Sequence, residues 1–362
     1  MPRDFPQLSH PIVQAPMSGG PSTPALAAAV TGAGGLGFLA AGYKSPGQVQ
    51  ADIAAVRQLT SGPFGINLFA LTETPVDLAA LTRYAETLEP LAHRYGVQVS
   101  EARFDDDALQ DKLTIVCAER VPIASFTFGC PEPEAVERLH EHGVAVWVTI
   151  TEVQEALLAA RAGADALIVQ GAEAGGHRAS FDDVDEHGEI ALLPLLRLVA
   201  QAIDLPLIAS GGIADGAGVA AVLVAGAQAA QIGTALMRCP EAATSAPHRD
   251  ALIRPTNTAL TRAFSGRRAR GIVNAFMRSH EAQAPAAYPH VHHLTAPLRA
   301  AARKANDAEN VNLWAGQAHH LAEDRPAAEL VQQWSSDAQA AVERTHRRLA
   351  SCSNVRAVVP RQ

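Results

Sequence analysis

Eight short apolar runs, each followed by a longer stretch with helical spacing, recur before residue 240 and limit the fold more than any other feature. They are PIVQAPM (11–17), LGFLAA (36–41), FGINLF (64–69), IASFTF (123–128), AVWVTI (145–150), ALIVQG (166–171), PLIASG (206–211) and AAQIGT (229–234). A strand with one wet face would alternate apolar and polar residues; these runs are nearly continuous. Strands read that way when helices cover both faces of a parallel sheet. The intervening stretches, such as PGQVQADIAAVRQL, EAVERLHEHG and TEVQEALLAARAG, are amphipathic, and the last has Thr151 as expected N-cap and Gly163 as C-cap. Eight strands alternating with helices match an α/β TIM barrel, (β/α)8. A doubly wound sheet is the structural alternative.

Two interruptions divide the chain. Residues 70–112 are too long for a βα loop and read as a mostly helical insertion after the third strand. Residues 236–305 lose the β/α rhythm and carry an arginine cluster (SGRRARG) and a Pro-His tract, YPHVHHLTAP. The expected organisation is a barrel of residues 1–235 and 306–362, with 236–305 as a smaller, mostly helical inserted domain. A final helix around Trp334–Leu349 would close the barrel wall.

The net charge of −8 supplies no basic face to neutralise phosphates, which argues against a nucleic-acid partner. Cys117, Cys130, Cys239 and Cys352 form no CxxC pair, so neither a disulfide framework nor a zinc site is expected. The N-terminal MPRDFPQLSHP lacks the apolar core of a signal peptide. The longest stretch free of Asp, Glu, Lys and Arg, Phe5 to Tyr43, is broken by prolines and glycines and is no membrane span. These features suggest a soluble, cytoplasmic protein.

Gly32, Gly34 and Gly37 spell GxGxxG, but a helix precedes them and a strand follows, the reverse of a dinucleotide fingerprint. They read as a helix cap and tight turn. The better phosphate site follows the seventh and eighth runs, at Ser210-Gly211-Gly212-Ile213 and Gln231-Ile232-Gly233-Thr234-Ala235. Loops in those places often cradle phosphate with backbone N–H groups. The sixth run leads into VQGAEAGGHRASFDD (169–183), which places His177 on the same rim. Met17, Asn67 and Gln170 end other strands there. Amides that both donate and accept suit the edge of a heterocycle. A phosphate cradle, rim amides and one histidine together describe a flavin mononucleotide site. Cys130 reads as structural. His290, His292 and His293 read as surface or pocket histidines more readily than as metal ligands.

PIVQAPM, GINLF, SFTFGCP, VQGAEAGGH, ASGGI, QIGTA, AFSGRRARGIVN and LWAGQ, in this order from about residue 10 to about 320, resemble the FMN-dependent nitronate monooxygenases. The resemblance implies a TIM barrel with a smaller inserted domain and tightly bound, non-covalent FMN. By position, it implies that Asn67, Gln170, Gly175, Gly212, Gln231, Ile232, Gly233 and Thr234 bind FMN, with Met17 against its ring system. It makes His177 the catalytic histidine. One departure is that Ala179 and Ser180 stand where a glycine is expected soon after the histidine.

The implied reaction is oxidation of alkyl nitronates, and of nitroalkanes where the enzyme can deprotonate them, by O2 to a carbonyl compound and nitrite. It would use single-electron flavin chemistry and no nicotinamide. Two alternatives stay open: a related FMN barrel reducing a quinone or enoyl-acyl-carrier-protein with NAD(P)H, and a non-redox barrel that binds a phosphate ligand.

Overall fold

The structure, a computed structural model, describes residues 5–183 and 189–355. Each apolar run forms a parallel strand. In chain order these are β1 (Ile12–Gln14), β2 (Gly37–Ala40), β3 (Phe64–Phe69), β4 (Ile123–Thr127), β5 (Ala145–Ile150) and β6 (Ala166–Gln170). After a two-residue strand, β7 (Gly176–His177), come β8 (Leu207–Ser210) and β9 (Ala229–Ile232). Eight of them pair in the order β1-β9-β8-β6-β5-β4-β3-β2. Leu36 N donates to Ile12 O at 3.0 Å and Gln14 N to Leu36 O at 2.8 Å, so the two ends of the sheet meet. A doubly wound sheet would stay open; this is a TIM barrel.

The wall consists of α1 (Pro24–Gly32), α2 (Pro46–Leu59), then, beyond α3 (Leu78–Tyr95), α4 (Leu109–Ala118), α5 (Pro133–Glu141), α6 (Val153–Ala162), α7 (Leu192–Ala202) and α8 (Gly216–Val224). Local signals set their ends. Ser45 and Gln48 form a capping box at α2, and Gly163 caps α6 in the left-handed region. The expected N-cap Thr151 lies one residue early: Glu152 takes the cap position, and the Thr151 hydroxyl donates to the buried Glu155 carboxylate at 2.9 Å.

The strand period of two sorts the side chains. Val13, Phe38, Trp147, Ile168 and Ile208 fill the lumen, where Phe5 stacks on Trp147 at 5.5 Å. Their neighbours Ile12, Leu39, Val146, Val148, Leu167 and Ala209 pack under the helices. Gly65 leaves room for this lumen packing, since a Cβ there would stand 2.3 Å from the Phe38 ring. Toward the C-terminal ends the inward positions turn polar, with Asn67, Thr149, Gln170, Ser210 and Gln231 lining a cavity. The same alternation turns Ile232 outward.

Beyond β9 come α9 (Ala246–Leu252), antiparallel β10 (Thr258–Thr261) and β11 (Ala269–Ile272), α10 (Ala275–His280) and α11 (His290–Lys304). The expected helical segment therefore also carries a strand pair. Its periodicity is hidden because β11 is an arginine-bearing strand, ARGI. β11 pairs with β7, Ala269 opposite His177, and makes a three-stranded sheet. Helix α3 packs on this segment: Leu81, Tyr84 and Leu88 share a second core with Phe264, Phe276, Val291 and Leu298. Of residues 70–112, those from Leu109 belong to the wall helix α4. Residues 306–326 run past the cavity before α12 (Ala327–Val355), whose Trp334 is buried against the barrel and whose backbone touches Gly216 of α8. The outer ends of the expected barrel segments, residues 1–4 and 356–362, lie outside the described residues.

Candidate active site

A cavity of about 430 Å3 opens over the C-terminal ends of the strands. Met17, Asn67, Gln170, Gly175, His177, Gly212, Gln231, Gly233 and Thr234 all line it. Ile232 does not: its side chain lies in the core under the helices.

The glycines before His177 have separate tasks. A Cβ on Gly175 would stand 2.4 Å from Gly316 N and 2.5 Å from Ala315 C, so this segment lies directly on the 315–316 backbone. Gly176 has φ +78°, which admits a side chain poorly. The histidine that follows is not on loose chain. It sits in β7, and the Gln170 amide binds the segment on both sides: Nε2 donates to His177 O at 3.0 Å, and Oε1 accepts from Ala179 N and Arg178 Nη1, each at 3.0 Å. Gln170 thus lines the cavity with its amide already engaged. Ala179, where a glycine was expected, fits because only its N–H is used and its methyl is buried.

Phe128, Tyr288 and Trp314 surround the His177 ring at centroid distances of 5.8, 5.4 and 5.5 Å. None was singled out from the sequence as a site residue, because each comes from a different distant loop. Nε2 lies 2.9 Å from Ser265 Oγ, which donates its own hydrogen to Arg267 O at 3.1 Å. The hydroxyl therefore accepts from His177, and the network assigns the Nε2–H tautomer, leaving Nδ1 as a lone pair. Burial, with the charges of Arg267 and Arg299, pushes the imidazole pKa down to about 3. The ring is neutral near pH 7.

Arg299 was not legible either. It is buried on α11 and lines the cavity, with Nε donating to Thr295 Oγ1 (3.0 Å) and Nη2 to His292 O (2.8 Å). Among the described residues no carboxylate pairs with it. Burial lowers its pKa to about 10, so it stays cationic. His292, one of the Pro-His tract, accepts from Arg299 Nη2 through Nδ1 at 3.2 Å. Burial holds its pKa well below the usual imidazole value. Among the described residues, no three His, Cys, Asp or Glu side chains converge on a common point. The Cys130 thiol is pushed up to about 12 by burial and is no nucleophile.

A closed barrel with its cavity at the strand ends, and with glycine loops and a neutral histidine facing that cavity, has the layout of a TIM-barrel enzyme. The sequence profile of the nitronate monooxygenases matches residues 4–337. A nitronate monooxygenase of Paraburkholderia phytofirmans is 40% identical over 349 residues, covering 93% of this chain and 94% of that protein. The solved nitroalkane oxidase of Streptomyces ansochromogenes superposes with a TM-score of 0.90 at 46% identity, covering 93% and 98% of the two chains. FabK from Thermotoga maritima is a weaker likeness, with a TM-score of 0.71 and 26% identity over 94% and 96%. The chain belongs to the nitronate monooxygenase family and is an oxidoreductase; the alternatives of an NAD(P)H-dependent reductase and a non-redox barrel are not favoured.

Membership implies a flavin, and the residues fit one. Gln231 Nε2 is buried with no hydrogen-bond partner, a donor awaiting an acceptor. Asn67 Nδ2 donates to Ser125 Oγ (3.0 Å) and Thr127 Oγ1 (2.9 Å), which leaves Oδ1 to accept. Among the described residues, the N–H groups of Gly212, Gly233 and Thr234 donate to no backbone oxygen. A Cβ on Gly233 would press on Ala15 Cβ at 3.2 Å and lie 3.6 Å from Met17 Sδ. No helix of the described residues is long and apolar enough to cross a membrane.

Proposed function

We propose that the protein binds FMN in this cavity and oxidises alkyl nitronates with O2 to a carbonyl compound and nitrite. The observation that carries the reading is that one cavity is lined both by a neutral histidine with a free Nδ1 and by an arginine with no carboxylate partner among the described residues, whose charge acts on that histidine. Such a pair suits a substrate that exists both as a carbon acid and as its anion. The Gly212, Gly233 and Thr234 amides would hold the phosphate, and Gln231 Nε2 and Asn67 Oδ1 the ring edge, with Met17 alongside. When bound, the flavin supplies electron acceptance from the substrate and reaction with O2.

The chain's own residues would do the rest. His177 Nδ1 would take the α-proton of a neutral nitroalkane, its orientation fixed by Ser265. Arg299 would hold the negative nitro oxygens of the nitronate so formed, or of one that arrives preformed. The rings of Phe128, Tyr288 and Trp314 would keep water from the reacting carbon. Four cysteines without disulfide partners suit a reducing, cytoplasmic setting.

The test is direct. Purified protein should be yellow, release FMN on denaturation, and form nitrite from alkyl nitronates with matching O2 uptake. Anaerobic NADH should leave its flavin oxidised. Flavin-loaded protein that turns over no nitronate overturns the proposal, and bleaching by NADH would revive the reductase reading.

A further inference from the structure

A second cavity of about 360 Å3 adjoins the first. Tyr43, Phe69 and His292 line both, so they form the partition between them. Tyr43 is its centre. Its ring stacks on His292 at 4.2 Å, meets Phe69 edge-on at 5.3 Å, and its hydroxyl lies 2.9 Å from that of Tyr288, which touches His177.

Tyr43 is also held in an unusual way. Its φ of +67° lies in the left-handed region, where a bulky residue is strained and persists only if its surroundings impose it. The surroundings here come from the long excursion after β3. Asp107 Oδ1 accepts from Tyr43 N at 2.9 Å, and the Asp107 carboxylate is in turn paired at 2.6 Å with Lys112, a fully buried lysine that also donates to Ala41 O at 3.1 Å. A buried ion pair thus fixes the position of one aromatic wall.

The two sides of that wall differ in charge. The inner cavity holds Arg299 and Arg303, neither with a carboxylate partner among the described residues. The charged groups that line the outer one are paired: Lys44 with Asp52 outside the lining at 2.5 Å, Asp107 with Lys112, and both Arg103 and His293 with Asp105, at 4.0 and 3.7 Å. The rest of its lining includes Pro46, Leu71, Tyr288 and Pro289. An anionic head suits the inner side and an uncharged hydrocarbon tail the outer.

We propose that Tyr43 is the specificity-determining wall of the site: it sets how long an alkyl tail can be carried by a substrate whose nitronate head lies at His177 and Arg299. The proposal rests on the function proposed above and names the part of the substrate class that this chain selects. In the wild type, tails that end before the ring are accepted and longer ones must displace it. Tyr43→Ala joins the two cavities and removes the cut-off.

The experiment compares nitronates from nitroethane to 1-nitrohexane as substrates of the holoenzyme. In Tyr43→Ala, the ratio of kcat/KM for the six-carbon over the two-carbon nitronate should rise about tenfold or more above its wild-type value, the scale at which a pocket discriminates by methylenes. Tyr43→Phe, which keeps the ring, should retain the wild-type cut-off. Flavin content and melting temperature check that each variant is folded. Calorimetric binding of the same series without O2 gives a readout independent of turnover. If the wild type binds but oxidises no nitronate, the function proposed above fails, while the length dependence of binding still decides the role of Tyr43. Chain-length profiles that run parallel in wild type and Tyr43→Ala, or no binding by either, overturn the wall.

Discussion

Ser265 Oγ stands 2.9 Å from His177 Nε2 and gives its own hydrogen to the Arg267 carbonyl, so the serine decides which nitrogen of the histidine keeps its proton. Removing either partner should therefore affect proton transfer before anything else. His177→Asn should lower nitroalkane turnover by roughly 10²- to 10⁴-fold, the usual cost of losing a general base. Preformed nitronates should suffer much less. Ser265→Ala should show the same preference for preformed nitronates with a smaller loss, because the imidazole stays but no longer has its tautomer fixed. Nitrite release with nitroalkane and nitronate pairs checks both variants. Equal rates on both substrate forms in flavin-loaded His177→Asn would remove the histidine from the mechanism. Because the ring is packed among Phe128, Tyr288 and Trp314, His177→Asn should also cost about 1 kcal/mol of stability, more than a solvent-facing loop residue would.

The buried histidines make stability fall in mild acid. Burial holds His177 at about 3 and His248 at about 4, and their unfolded values lie near 6.5. Below pH 6.5 the unfolded chain takes up protons that the native state refuses. The stabilisation is complete above that pH and is lost progressively as pH falls toward 4. From pH 6.5 to 5 each ring costs up to about 2 kcal/mol. Burial raises the Glu155 and Asp107 carboxyls, which oppose the trend. Urea midpoints at pH 7.5 and 5.0 measure the balance, and His248→Gln should flatten the slope. An identical slope in wild type and variant would show that His248 is not held neutral.

The barrel was legible because its strands are buried on both faces and therefore read as apolar runs. The reversed order around Gly32, Gly34 and Gly37 was legible for the same reason: α1 ends at Gly32, and Gly37 lies in β2 so close to α1 that a Cβ would clash with Ala27 O. The histidine's setting was not legible. A two-residue strand has no period to detect, and β7 finds its partner in β11, some 90 residues on. Nor does GGH itself show that Gly175 serves close packing on residues 315–316, which lie some 140 residues on. Arg299 and Tyr43 escaped for a further reason: what marks them is a missing carboxylate and a strained φ, and neither is written in local sequence.

Gly233 offers a test of the cradle that leaves the histidine untouched. Its φ of −112° accepts any residue, so Gly233→Val should fold. The added branch would press on Ala15 and Met17 beside an unpaired N–H. The expected result is a Kd for FMN raised roughly tenfold or more, about 1.4 kcal/mol, with little change in melting temperature of the flavin-free protein. Fluorescence titration of apoprotein with FMN measures it. Undiminished affinity would place the phosphate elsewhere on the rim.

Arg299 and His177 should separate in opposite directions. The guanidinium has no carboxylate partner among the described residues, so Arg299→Met breaks no ion pair; it removes the more deeply buried of the two arginines that line the cavity, Arg303 being the other, while keeping most of the apolar stem. Preformed nitronates, which need a positive partner, should then show KM raised about 10- to 100-fold, the range expected for losing a charged hydrogen bond of about 1.5–3 kcal/mol. Neutral nitroalkanes should bind within about threefold of wild type, since their charge appears only after His177 has taken the proton. The His292 carbonyl loses a donor, but a buried unpaired charge is removed with it, so the melting temperature should change little. The two variants thus differ in where the loss falls: His177→Asn lowers kcat for the carbon acid and largely spares the anion, whereas Arg299→Met raises KM for the anion and touches the carbon acid only in kcat, once the proton has gone to His177. If Arg299→Met raises KM for both substrate forms alike, the arginine shapes the cavity and does not recognise the nitronate charge.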